Sequence, residues 1–399
     1  MRILMISYWT SPLASLGVWE AGGMNVYVLS LASALSEEGH TVDIVTRTKK
    51  RVLSVTKLNN RLRVVHIPGK ISRYYSDMIP FSNKINDYIN EKKLKYDVIH
   101  SHYYYSGLIG LNIKMKLGIP LVHSFHTLGA LKEKSVGVSD KKRIQSEKRI
   151  ILNADKIISS TILEKNDLEH YYHANPEKIS VEAPGVDHHL FHPINKQTAR
   201  KKLNLDNEAP IVLFVGRIDP VKGIRILIES VVELVKLHDK RLENLKVFLI
   251  GGDVKQKKFW KQKVVTESMK IIKHNNLENC VQFIGSRSHH KLPLFYSACD
   301  TMVLPSVYES FGLVLIEAMS CGAAVIASRA GGPEQIIHDN KNGRLFESGN
   351  SSELAHILTE LLLNENKRNK IGKEAIRTSQ DYCWDKQSRK IISIYKSLQ

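Results

Sequence analysis

Cysteine is scarce in this 399-residue chain: Cys280, Cys299, Cys321 and Cys383 are the only four, and no two are spaced as a CxxC pair. That spacing supports neither a zinc site nor a disulfide framework, and it fits a reducing, cytoplasmic setting. No apolar run approaches the roughly 18 residues that mark a membrane span. The opening MRILMISYW has one arginine and a short apolar stretch, but Tyr8, Trp9 and Pro12 interrupt it with no clean cleavage site after it. A buried first strand is therefore expected, not a signal peptide. No GxGxxG occurs, so a dinucleotide oxidoreductase lacks its fingerprint. No Asp-x-Asp occurs either, so a metal clamp for a diphosphate has no evident ligands, and neither a metal nor a cofactor is expected. Acidic residues are outnumbered 40 to 58 by Lys and Arg, for a net charge of +18. Such a surface attracts phosphates, nucleic acid or anionic membranes. The basic residues are scattered as KK, KR and RK pairs with no long tail and no nucleic-acid-binding motif, so nucleic acid is not an expected partner. A solvated basic surface is the plain reading, and peripheral membrane contact is the functional alternative.

What is present is a rhythm. Short apolar runs alternate with amphipathic stretches, the pattern of parallel sheets covered by helices, so an α/β fold is expected. At 399 residues two domains are the natural division. Strands are expected at Ile3–Ser7, Thr41–Thr46, Arg63–Ile67, Asp97–His100, Pro120–Phe125, Lys156–Ser159 and Ile179–Glu182. A helix over Val26 to Leu35 ends at Gly39. Pro184, Gly185 and Pro193 break the pattern. A second series follows at Ile211–Val215, Lys246–Ile250, Val281–Ile284, Thr301–Leu304 and Ala324–Ala327, and a last helix covers Trp384 to Leu398. The expected domains are residues 1–188 and 189–380. In open α/β sheets ligands bind at the carboxyl ends of the strands, so two such domains facing each other enclose a cleft.

Four segments sit at such strand ends. In SVYESFGLVLIEA, Gly312 permits close backbone approach, and the amides after it suit a phosphate. Glu309 precedes the helix and Glu317 lies within it. Eight helical residues span about 12 Å, so the two carboxylates are placed to hold opposite ends of an extended ligand. Taken alone, each is as readily a cap or a solvated charge. In VGRIDPVKG, Arg217 and Lys222 offer a planar fork and a point charge to a phosphate, and Arg287 in the Gly285-Ser286-Arg287 turn is a third cation. Phe125-His126-Thr127 and His100-Ser101-His102-Tyr103 make a polar rim, although a lone histidine is more often structural. AGGMNVY places Gly22 and Gly23 at the start of the first helix, where a simple tight turn is an equally cheap explanation.

With these motifs in order, the chain resembles the retaining glycosyltransferases of family 4, which have the GT-B fold of two Rossmann-like domains. ESFGLVLIEA with CGAAVIASRAGGPEQII, VGRIDPVKG and PGVDHHLFHP carry the resemblance over nearly the whole length. AGGMNVYVLSLASALSEEGH looks like the subgroup containing sucrose-phosphate synthase and the inositol-phosphate N-acetylglucosaminyltransferase. The resemblance implies that Arg217, Lys222 and Arg287 bind the donor diphosphate, that Glu309 contacts the transferred hexose, and that Glu317 holds the ribose. Backbone from Ser310, Phe311, Gly312, Leu313 and Val314 would line sugar and phosphates, with Gly23 near the diphosphate. His126 would contact the donor sugar and steady charge at the anomeric carbon, making His126, Arg217, Lys222 and Glu309 the catalytic set. Asn25, Tyr103, Thr127 and Arg143 would face the acceptor. Residues 70–80 (KISRYYSDMIP) have no clear counterpart in the phosphate-binding cluster of the inositol-phosphate enzyme. The family's final helix returns to the N-terminal domain, here from about residue 381 to 399.

The implied reaction is metal-independent, retaining hexosyl transfer, glucosyl first, from a UDP-sugar to a saccharide or polysaccharide precursor. A phosphorylated polyol or lipid-linked acceptor is the alternative, as is a two-domain nucleotide-sugar epimerase. A non-enzymatic basic protein that binds membranes would explain the charge but neither the Glu309–Glu317 nor the Arg217–Lys222 pattern.

Overall fold

Mostly aliphatic and β-branched runs form the inner strands, because a parallel strand is covered on both faces. The computed structural model describes residues 1–14, 22–70, 77–137 and 140–399. One sheet contains β1 (Arg2–Ser7), β2 (Thr41–Thr48), β3 (Ser54–Lys57), β4 (Leu62–Pro68), β5 (Val98–His102), β6 (Leu121–Ser124), β7 (Lys156–Ser159) and β8 (Ile179–Val181). Its spatial order is β3-β4-β2-β1-β5-β6-β7-β8, with β3 antiparallel to β4 and every other pairing parallel. The other contains β9 (Ile211–Val215), β10 (Lys246–Ile250), β11 (Val281–Phe283), β12 (Thr301–Leu304), β13 (Ala324–Ser328) and β14 (Arg344–Phe346). It is parallel throughout, in the order β11-β10-β9-β12-β13-β14.

In each sheet the chain winds outward from a central strand and then restarts on that strand's other side. The reversals fall between β1 and β5 and between β9 and β12. Such reversals open a crevice beyond the strands' carboxyl ends. The strands expected from sequence all form, with ends shifted by about two residues at most. β3 and β14 were not among them. β3 is four residues long and exposed along its length, and β14 has three residues, so neither presents a long apolar run.

The described chain divides into two compact units. Met1–Ala14, Met24–Gly185 and Trp384–Gln399 make the first; Val186–Cys383, with residues 22 and 23, make the second. In the first unit the last helix, Trp384–Lys396, buries Trp384, Ile391, Ile392 and Tyr395. Trp384 meets the Tyr27 ring edge-on at 5.5 Å, and the Tyr395 hydroxyl lies 2.6 Å from His100 Nδ1. Ile394, beside Tyr395, is only half-buried. Among the described residues, no helix is long and apolar enough to cross a membrane.

A local device in the first unit has a measurable cost. Thr161 caps the helix Ile162–Tyr172 by accepting from the Glu164 amide at 3.0 Å, while Glu164 Oε2 accepts from the Ser160 amide at 2.7 Å. This is a variant of the capping box. Burial of the carboxyl pushes its pKa up to about 7, against the opposing hydrogen bond from Ser160. The folded state therefore binds a proton that the unfolded state has lost by about pH 5, and stability declines as pH rises from there to about 7. Glu164→Gln keeps an acceptor and removes the buried charge. Its melting temperature should exceed the parent's by about 5 °C at pH 8 and match it at pH 4.5, as read by calorimetry.

Candidate functional site

In the second unit the reversal lies between β9 and β12, and glycine decides what can gather there. Gly223 has φ +67°, and a Cβ on it would lie 1.7 Å from the Pro305 carbonyl oxygen. Only glycine lets the turn Pro220–Lys222 rest on the end of β12, where the Val307 amide donates to the Val221 carbonyl at 2.8 Å. Lys222 Nζ then sits 2.6 Å from Glu309 Oε2, and Ser306 Oγ donates to the same oxygen at 3.3 Å. Glu309 is fixed on both sides by backbone: its amide donates to Ala330 at 2.9 Å, and its carbonyl accepts from Gly332 at 2.8 Å. A Cβ on Gly332 would fall 2.3 Å from Phe311 Cα, so this pairing too requires glycine.

The helix Leu313–Ser320 starts immediately beyond. Gly312 turns the chain at φ +100°, and no acidic side chain occupies the first turn. The Leu313 and Val314 amides donate to nothing among the described residues. These are free donors at the positive end of a helix dipole, a suitable seat for an anion. Phe311 is buried against Tyr382 at 5.8 Å, and Ser310 Oγ reaches the Tyr308 hydroxyl at 3.4 Å.

Glu317 departs from the expected spacing. The helix begins only at Leu313, so Glu309 lies in an extended segment and the two carboxylates are not joined by eight helical residues. Glu317 is 4 % exposed and already engaged: His289 Nε2 lies 2.8 Å from Oε1, and the Tyr296 hydroxyl donates to Oε2 at 3.0 Å. Burial opposes charge on His289, but the Glu317 carboxylate outweighs it and raises the imidazole pKa. Phe191, from PGVDHHLFHP, meets the His289 ring edge-on at 4.9 Å. Arg217 pairs with Asp219 at 3.2 Å and remains 40 % exposed, while Arg287 Nη1 donates to the Ser286 carbonyl at 3.1 Å. The structure thus brings Lys222, Glu309 and Ser306 into contact, and leaves Arg217, Arg287 and Glu317 each with other partners. His289 and Tyr296 were missed from sequence, because nothing in their spacing ties them to a glutamate 28 and 21 residues on.

In the first unit the reversal lies between β1 and β5. Two non-glycine residues there take left-handed backbone, Tyr103 at φ +71° and His126 at φ +62°. Each costs of order 1–3 kcal/mol and persists where surroundings enforce it. His126 Nε2 lies 3.2 Å from His102 Nδ1, and the His102 ring lies 4.2 Å from that of His100. Burial holds both His100 and His126 down at about 3, and His102 well below its usual range. All three imidazoles are therefore neutral near pH 7. Among the described residues no three His, Cys, Asp or Glu side chains gather as a metal-binding group.

Thr127 and Arg143 do meet. Arg143 Nη2 donates to Thr127 Oγ1 at 2.9 Å and to its carbonyl at 2.6 Å. The guanidinium lies 5.1 Å from the centre of the Tyr103 ring, joining three of the four expected acceptor residues. Its Nε is 2.7 Å from Glu147 Oε1, so the charge already has a carboxylate partner. Asn25 departs from its expected role. It is fully buried, and its amide accepts from Thr10 Oγ1 at 3.2 Å and donates to the Ser11 carbonyl at 2.6 Å, shaping the loop after β1. Gly23 is the first residue of the helix Gly23–Glu37. Within KISRYYSDMIP, positions 71–76 lie outside the described residues, as does position 21 of the glycine motif.

Two family models cover most of the chain: Glycosyltransferase Family 4 matches residues 21–190, and Glycosyl transferases group 1 matches residues 195–378. The D-inositol 3-phosphate glycosyltransferase of Corynebacterium glutamicum is 32 % identical, over 99 % of this chain and 96 % of that protein. Its namesake from Corynebacterium aurimucosum is 34 % identical over the same shares. Among solved structures, sucrose-phosphate synthase from Thermosynechococcus elongatus superposes with a TM-score of 0.89 at 29 % identity, covering 100 % of this chain and 98 % of that one. Anabaena HepE, solved with UDP and glucose, gives 0.79 at 21 % identity with both chains fully covered, a likeness of fold. Two parallel α/β units, each with its polar groups gathered at a sheet reversal, together with these matches, place the chain in glycosyltransferase family 4: it is a hexosyltransferase of the GT-B fold.

Proposed function

We propose that the enzyme transfers a hexosyl group, glucosyl first, from a UDP-sugar to a hydroxyl of a saccharide or polysaccharide precursor, with retention and without a metal. The observation that carries this reading is the Lys222–Glu309 pair at the ends of β9 and β12, beside the open helix start at Leu313. A departing nucleoside diphosphate needs positive charge and preorganised donors, and Lys222, Arg217 and the Leu313 and Val314 amides supply both. Glu309, held by backbone on each side, is the hydroxyl acceptor for the hexose. The family resemblance puts a uridine donor first, and HepE, a protein of the same fold, was solved with UDP-glucose.

The bond from the anomeric carbon to the diphosphate oxygen breaks as the acceptor oxygen approaches the same face of the sugar. The acceptor's proton passes to the leaving phosphate oxygen, so no carboxylate nucleophile is needed. The His126 backbone carbonyl steadies positive charge at the anomeric carbon. Tyr103, Thr127 and Arg143 are the acceptor-side groups. A second reading, a phosphorylated polyol as acceptor, is favoured by the name the Corynebacterium relatives share and by Arg143 beside Thr127. An acceptor panel with and without a phosphate separates the two, since a phosphate-dependent site turns over only the phosphorylated members.

Arg217→Ala and Lys222→Ala should each lower kcat/KM by about 10²- to 10³-fold with the melting temperature little changed. Unaltered turnover in both variants rules out the diphosphate role. Activity should survive excess EDTA, and NMR of the first product formed should show the donor's anomeric configuration. His289→Phe removes a partner of Glu317 and should weaken UDP binding about tenfold by calorimetry. Because the folded pKa of His289 is raised, its contribution to stability is complete below about pH 6.5 and is lost as pH climbs through the raised value. The gap in melting temperature between parent and His289→Phe should therefore be wider at pH 6 than at pH 9.

A further inference from the structure

The first sheet ends in an edge that the transfer reaction does not use. β3 (Ser54–Lys57) pairs with β4 on one side only, and every residue in it is exposed. The chain around it is one-signed: no aspartate or glutamate occurs between Asp43 and Asp77. Some of the cations in that stretch are taken, Arg63 by Asp43 and Arg61 by the Gly39 carbonyl. Lys49, Lys50, Arg51 and Lys57 are exposed and make no ion pair among the described residues. Three aliphatic side chains project among them: Val52 at 74 % exposure, Val55 at 40 % and Leu58 at 41 %.

Lysines alone on an edge strand are a common guard against pairing with another sheet. That role does not call for Val52, Val55 and Leu58, which hold apolar surface in water within seven residues of one another. Cations interleaved with outward aliphatics on a short ribbon match one environment in particular. Near an anionic bilayer each Lys or Arg gains about 1 kcal/mol from the surface potential, and apolar side chains gain by entering the boundary between headgroups and acyl chains. A dissolved polyanion rewards only the first set.

We propose that the segment 49–58, the loop after β2 together with the edge strand β3, docks the enzyme on an anionic lipid surface, Lys49, Lys50, Arg51 and Lys57 meeting phosphate headgroups while Val52 and Leu58 insert at the interface. The contact is peripheral and reversible: four cations and a few aliphatics give salt-sensitive partitioning, not an anchor.

The test is co-sedimentation of the full chain with vesicles of phosphatidylcholine containing about one-third phosphatidylglycerol, against pure phosphatidylcholine. Binding is expected only to the anionic vesicles and should be released by salt at about 0.5 M. Lys50→Glu with Arg51→Glu should reduce the partition coefficient at least about twentyfold. Val52→Ser with Leu58→Ser should reduce it about tenfold while leaving retention on heparin unchanged. Turnover of soluble substrates should be unaffected in both double variants, which shows that they fold. The proposal is overturned if the anionic vesicles do not bind, or if the aliphatic pair proves irrelevant, which would make the face a general polyanion site. It is equally overturned if sedimentation velocity without lipid reveals a dimer that the same variants dissolve, since the edge would then join two copies of the chain.

Discussion

The close approach of Gly223 to the Pro305 carbonyl is the contact on which the Lys222–Glu309 cluster depends. The gap closes only if residue 223 has no side chain and takes left-handed backbone. Once it closes, a turn whose lysine would otherwise wave in solvent is pinned to the end of β12. Lys222 and Glu309, 87 residues apart in sequence, become hydrogen-bonded neighbours with 17 % and 14 % of their side chains exposed. A pair so placed contributes little net stability, because desolvation consumes most of the Coulomb gain. What it fixes is position: a cation and an acceptor held ready, beside helix amides with no partner of their own.

The two units solve the problem of polar groups at a sheet reversal with different electrostatics. At the reversal in the second unit, Arg217 and Lys222 each pair with a carboxylate, Arg287 donates to a carbonyl, and Glu317 is held by His289, so charge is present but largely balanced. In the first, the groups ending β5 and following β6 are imidazoles kept neutral by burial, with one nitrogen each on His100 and His123 satisfied by a serine hydroxyl. Neutral rings avoid the cost of burying charge without a partner. The strained backbone of His126 and Tyr103 belongs to the same arrangement, since His126 Nε2 meets His102 only with its ring in this place.

Much of this was legible in the sequence, for a physical reason. Buried parallel strands read as uninterrupted apolar runs, and the residues ending them are marked by glycine and charge, as in VGRIDPVKG and SVYESFGLVLIEA. Both strand series follow from the first signal, and the placing of Lys222 and Glu309 at strand ends follows from the second; their direct pairing appears only in the structure. β3, exposed along its four residues, and β14, only three residues long, carry neither, which is why they went unseen. The His289–Glu317–Tyr296 network was hidden because its members sit in a turn and two separate helices with no common period. Asn25 was given an acceptor-side role by resemblance alone, whereas its side chain is buried and bonded to the loop after β1.

The Tyr395–His100 contact links residues 295 positions apart, and the helix that carries Tyr395 belongs to the unit made first. A ribosome therefore releases strands β1 to β8 long before the segment that seals them, and all of Val186–Cys383 emerges in the interval. The second unit can complete its core while still tethered, but Tyr27 and the His100 layer wait for the final turns of the chain. A nick that severs residues 384–399 from the rest would thus damage the unit made first and spare Val186–Cys383.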